Sequence, residues 1–141
     1  MADFGRGIKA GIVAGIIEGI IAVIIIATSF DIIYSEILNT VPPGFTLETY
    51  RELLYWSSLV GAVFGGIIGG LIVGVIFAIL YDHLPGKTSI HKGILMGLIL
   101  WGISVVLSFG RVLLYSLILN AVLDIVLFGY LLGVLWDRFG E

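Results

Sequence analysis

The chain has 141 residues, 60% of them hydrophobic and only 12% charged, with 20 glycines and a mean hydropathy of +1.19, which excludes an ordinary soluble domain and points to an integral membrane protein. A net charge of -3 with only 7 Lys and Arg excludes the clustered basic surface of a nucleic-acid binder. The lack of cysteine excludes disulfides, thiolate nucleophiles and Cys-ligated metals.

Arg6 and Lys9 precede the first apolar run, as in a signal peptide. That run continues to about Phe30, holds Glu18 and lacks a small-x-small cleavage site, so a retained first helix over residues 7–30 is expected. It slightly exceeds the ~30 Å hydrocarbon core, which permits tilt. Gly7, Gly11, Gly15 and Gly19 mark a packing seam, and Glu18, with Ala14, Gly15 and Ala22 as helical neighbours, should face protein.

Residues 31–56 change character. Asp31, Glu36, Glu48, Arg51 and Glu52 appear, and Pro42-Pro43-Gly44 makes a turn, so an extramembrane excursion is expected. Thr46 suits an N-cap, and Leu47, Tyr50 and Leu54 oppose Glu48, Arg51 and Glu52 in an amphipathic lead-in. A helix from Thr46 to Tyr81 exceeds one span, so either a bend near Ser57-Ser58 or a protrusion beyond the bilayer is required.

The second span contains residues 61–78, GAVFGGIIGGLIVGVIFA. Gly61, Gly65 and Gly69 form one series with a period of four, and Gly66, Gly70, Gly74 and Ala78 form another on the adjacent face. Lipid supplies no hydrophobic force between helices, so close approach at small residues drives association. The run reads as the central helix of the bundle, one seam serving its own bundle and the other a further helix or protomer. Leu84-Pro85-Gly86-Lys87 closes it, and Thr88 or Ser89 caps a third helix over 91–109 with Gly93, Gly97, Trp101, Ser104 and Ser108 on one face. Gly110-Arg111 turns the chain into a fourth helix over 112–136, with Gly129 and Gly133 on one face and Ser116, Asn120 and Asp124 on another.

Four spans put both termini on one side. Arg6, Lys9, Lys87, Lys92 and Arg138 fall there, against Arg51 and Arg111 opposite, so the termini should be cytoplasmic and the protein a multi-pass plasma-membrane protein. Residues 79–84 and 134–139 share the order apolar, Leu, aromatic, Asp, basic or His, apolar, and the same offset carries Gly74 to Gly129 and Ala78 to Gly133. Lys92-Gly93 with Gly97 echoes Lys9, Gly11 and Gly15 more weakly. The fold expected is an all-α, four-helix, glycine-rich bundle, a single transmembrane domain made of a duplicated hairpin, 1–86 and 87–141, repeated in parallel.

Tyr81, Leu84-Pro85-Gly86-Lys87 and Lys92-Gly93, set between two glycine-rich spans, resemble the small YagU-like prokaryotic inner-membrane proteins. The resemblance covers the middle of the chain and implies a multi-span membrane protein with no catalytic residues to carry over.

Glu18 and Asp124 are the sharp chemical lead. Each falls near the middle of a span, where a charged Asp costs about 2.5 to 3.5 kcal/mol, and no Lys or Arg lies at that depth. They should therefore be neutral acids making hydrogen bonds, or be held ionised by a cation. Ser116 and Asn120 complete the proton- or cation-site candidates; the plainer reading makes all four interhelical glue at about 0.6 kcal/mol per bond. The packing candidates are Gly11, Gly15, Gly61, Gly65, Gly66, Gly69, Gly70, Gly74, Gly93, Gly97, Gly129 and Gly133. His83 and His91 lack ligand spacing for a metal, and Arg111 should pair with Asp31 or Glu36. No cofactor and no catalytic residue is expected. The first functional reading is a non-enzymatic assembly or accessory subunit, in a homo-oligomer or with a membrane-protein partner in the lipid bilayer. The second is a small channel or transporter coupled to protons or a monovalent cation.

Overall fold

The structure is a computed structural model that describes residues 3–107 and 114–140, with side chains at all of these except 36 and 114–116. In chain order it forms α1 (Phe4–Ile33), a single turn α2 (Ser35–Leu38), α3 (Leu47–Leu80), α4 (Ser89–Leu107), α5 (Leu114–Ala121), a π-helical segment (Val122–Gly129) and α6 (Tyr130–Arg138). The last three run on as one fourth span. Four helical stretches are long and apolar enough to cross a membrane, and no strand occurs among the described residues. This is an all-α membrane protein.

Local chemistry sets the helix ends. The Asp3 carboxylate accepts from the Arg6 backbone N–H at 3.0 Å and starts α1. The helix breaks at Ser29 (φ -131°, ψ 19°), just past Thr28, whose hydroxyl turns back onto the carbonyls of Ile24 and Ile25. Thr46 caps α3 by accepting from the Thr49 N–H at 3.2 Å, and Thr88 accepts from the His91 N–H at 3.3 Å where α4 begins. Helix α3 then runs through Ser57-Ser58 as one helix of 34 residues. Its length of about 51 Å at 1.5 Å per residue carries the amphipathic lead-in beyond a ~30 Å core. Arg51 on this overhang grips Asp31 with two hydrogen bonds of 2.9 Å. Arg51 reaches Asp31 because α1 and α3 lie side by side, whereas the expected pairing of Arg111 with Asp31 or Glu36 rests on Arg111, which lies outside the described residues.

The first hairpin is held by backbone contact. Gly7, Gly11 and Gly15 of α1 face Gly74, Gly70 and Gly66 of α3, and a methyl group on any of the six would overlap a backbone carbonyl oxygen of the opposite helix. Gly19 faces Ala62 in the same way. Close approach of this kind brings Cα–H groups onto carbonyls across the seam. The second series of α3 behaves differently: a Cβ at Gly61, Gly65 or Gly69 would meet nothing within 4 Å. Those three glycines pack against no described helix of the chain, so of the two series it is that of Gly66, Gly70 and Gly74 that serves the protein's own bundle. In the second hairpin Gly93 lies against Gly129 and Gly133, and Gly97 against the backbone of Asp124 and Ile125. Trp101 tops this seam, donating from Nε1 to the Leu117 carbonyl at 3.1 Å.

The hairpins join through α1, which touches α3, α6 and the π-helical segment. The central helix is therefore α1 and not the glycine-rich run 61–78, because α3 uses only one of its two small-residue faces. The buried core gathers Ala10, Ala14, Val73, Phe77, Ala78, Met96, Phe128, Leu132 and Trp136, all in the half of the bundle nearer the termini. A polar and aromatic clasp closes that end. Arg6 donates to the Trp136 carbonyl, lies 4.6 Å over the indole and sits 3.6 Å from Asp137. The buried Ser89 hydroxyl joins Asp137 to the Tyr81 hydroxyl, Tyr81 stacks on Trp136 at 4.5 Å, and Lys92 donates to the Tyr81 carbonyl at 2.6 Å. All four spans thus meet at one end.

Candidate functional site

Glu18 emerges at the edge of the α1–α3 seam, between Gly15 and Gly19, both pressed onto α3. That contact fixes its backbone, so its direction is set by packing. Asp124 is fixed from the other hairpin, since its backbone carbonyl lies where a side chain at Gly97 would stand. The two side chains converge, carboxyl to carboxyl, within hydrogen-bonding reach and partly buried. They come from different hairpins, so the pair forms only when the hairpins dock.

Two small clefts flank the pair. One, of about 210 Å³, lies toward the excursion end and is lined by Glu18, Ala22, Gly61, Gly65, Asn120 and Asp124 among others. The second, of about 190 Å³, lies toward the core and is lined by Glu18, Gly65, Gly69, Val73, Asp124 and Phe128 with their neighbours. The unpacked glycines of α3 are the walls of both clefts. Among the described residues no Lys or Arg lines either one. The larger groove, about 660 Å³, is bounded by aliphatic side chains such as Ile21, Ile25, Val122 and Val126. It supplies no chemistry, and only Leu123 is common to it and the polar clefts.

Of the four proton- or cation-site candidates, the structure brings Glu18, Asn120 and Asp124 to one cleft, while the side chain of Ser116 lies outside those described. His83 and His91 lie at the clasp end, and His91 Nδ1 is 2.6 Å from the Thr88 hydroxyl. Sequence reasoning missed the π-helical register from Val122 to Gly129, in which Asp124 sits in the first turn. Helices with i→i+5 bonding are rare and concentrate at functional sites. Its residues keep an ordinary apolar composition, so no pattern announced it.

A family model matches residues 1–141. No curated protein and no solved structure matches the chain, and nothing found relates it to the YagU-like proteins. With its whole length covered, the chain belongs to the DUF6789 family, a family of unknown function.

Proposed function

We propose that this protein handles protons or a monovalent cation within the bilayer, at the paired carboxyls of Glu18 and Asp124. The observation that carries the reading is their convergence from two hairpins with no Lys or Arg beside them among the described residues. Two partly buried carboxylates facing each other at close range repel, so the pair is stable only with a proton between them or a cation bound to both. Either state can exchange. The spans are read as those of a plasma-membrane protein with both termini cytoplasmic, on the strength of Arg6, Lys9, Lys87, Lys92 and Arg138 at one end.

The two hairpins are read as copies. In support, Gly11 meets Gly74 where Gly93 meets Gly129, and the equivalent residues Tyr81 and Trp136 stack on each other. The offset that carries Gly74 to Gly129 also carries Gly61, Gly65 and Gly69 to Ser116, Asn120 and Asp124. One copy has glycines where the other has polar side chains.

The test is flux of protons, Na⁺ and K⁺ in vesicles reconstituted with purified protein. Glu18→Gln and Asp124→Asn should each lower the rate at least tenfold; no flux, or unchanged flux in both variants, removes the reading. A second reading, a non-enzymatic assembly or accessory subunit, rests on the open faces of Gly61, Gly65 and Gly69. On that reading, Gly65→Leu reduces oligomer size in mild detergent while leaving the protomer folded. An unaltered oligomer, or a monomer in both proteins, counts against it.

A further inference from the structure

From the placement of the clefts we infer that the space between α3 and the fourth span is a one-ended, water-filled crevice, open at the excursion end and stopped below Glu18 and Asp124. It would conduct hydrated protons or small monovalent cations to the pair from that side alone. The inference rests on the reading of the pair as the working centre, but it concerns access and is measured without any flux.

Two helical stripes define the crevice. On α3, Gly61 and Gly65 are exposed, Gly69 is half-buried, and Val73 and Phe77 are buried. On the fourth span Asn120 is exposed, Asp124 is half-buried, and Phe128, Leu132 and Trp136 are buried. Accessibility falls along both stripes in the same direction, and the fall coincides with the carboxyl pair. Beneath it the stripes close on each other, with Phe77 edge-on to Trp136 at 5.2 Å. Alanines on α1 complete the stop, since Ala14 and Ala10 are fully buried about one and two turns below Glu18.

The open part is chemically suited to water. The cleft of about 210 Å³ far exceeds the roughly 10–15 Å³ that a single water requires. Its polar groups come from Glu18, Asn120 and Asp124, and its glycine wall leaves backbone uncovered by side chains. Acyl chains would leave the Asn120 amide without a partner, at several kcal/mol for an unsatisfied polar group in hydrocarbon.

The chain has no cysteine, so single cysteines report without background. Gly65→Cys adds a side chain where a Cβ meets nothing within 4 Å, and Asn120→Cys replaces an exposed side chain. Phe64→Cys is the lipid control: it lies one residue from Gly65, at nearly the same depth, and is 59% exposed on a face that lines neither cleft. The probe is a charged, membrane-impermeant methanethiosulfonate, which reacts with the thiolate and so needs water at the sulfur. Applied to proteoliposomes from the side that labels Asn39→Cys in the excursion, it should modify Gly65→Cys and Asn120→Cys at least tenfold faster than Phe64→Cys. From the opposite side those two should stay unmodified, and Val73→Cys should stay unmodified from both. Rates at Gly65→Cys and Asn120→Cys no greater than at Phe64→Cys would mean that lipid or a partner helix fills the space and would overturn the inference. Equal labelling from both sides, or fast labelling of Val73→Cys, would overturn its one-ended form. Normal labelling with no flux would leave the crevice standing and remove only the transport reading.

Discussion

Gly15→Leu should prevent the first hairpin from closing, whereas Gly65→Ala, on the other face of the same hairpin, should leave it intact. A Cβ at Gly15 would overlap the Gly66 carbonyl oxygen, and one at Gly66 would overlap that of Gly15. Each helix backbone sits in the groove of the other. Relief by rotating a side chain is unavailable, because the atoms in the way are main chain on both sides. Leucine would force the axes apart toward the 8–10 Å usual for helices with side chains between them, and rigid helices would carry Gly11 and Gly70 apart with them. Each Cα–H to carbonyl contact contributes about 0.5–1 kcal/mol, and no hydrophobic force between helices replaces them in lipid. Overpacking ordinarily costs about 1–3 kcal/mol; a backbone obstacle at the middle of a continuous seam belongs at the top of that range or above. Gly65 differs because its Cβ would enter open space. Unfolding in mixed micelles measures the contrast. Equal midpoints for Gly15→Leu and the wild-type chain would show that the seam does not hold the hairpin.

The same seam explains why part of the site was legible in sequence and part was not. Depth along a helix can be counted, so Glu18 and Asp124 could be set at matching depth from residue number alone. Azimuth between hairpins cannot be counted. That the two carboxyls face each other depends on α1 packing against both α3 and the fourth span, and the sequence pattern instead favoured the glycine-rich helix as the centre. Period-four glycines identify faces that permit close approach, but Gly61, Gly65 and Gly69 permit it without using it. They form cleft wall instead. The lead-in of α3 was left open between a bend and an overhang, because Ser57 and Ser58 permit either; the Thr46 cap and the Arg51–Asp31 pair accompany a single helix. The π-helical turn at Asp124 had no periodic signature, since its residues keep the apolar composition of an ordinary span; it coincides with the close approach of the fourth span to Gly97 and Gly93.

Removing the stop should turn the one-ended crevice into a path through the bundle. Phe77 and Leu132 are fully buried, and both lie on the stripes that close beneath the carboxyl pair. Phe77→Ala with Leu132→Ala would leave a void of roughly 180 Å³ before relaxation, whose cavity term alone is about 4 kcal/mol at ~24 cal/mol per Å³, beyond the lost transfer free energy of the removed atoms. The clasp of Arg6, Tyr81, Ser89, Lys92, Trp136 and Asp137 would still hold the four helix ends. An apolar void alone stays dry. This one would adjoin the cleft of about 190 Å³ that Val73 shares with Glu18 and Asp124, so water ordered at the carboxyls could extend downward as a connected column. In that double variant, Val73→Cys should become modified from the excursion side at a rate within about threefold of Gly65→Cys in the parent. Proteoliposomes should also leak protons faster than those with the parent protein. Leu132→Ala alone, at roughly half the void, should give the same changes in smaller measure. A folded double variant in which Val73→Cys stays unmodified would place the barrier to water elsewhere, at the carboxyl pair itself.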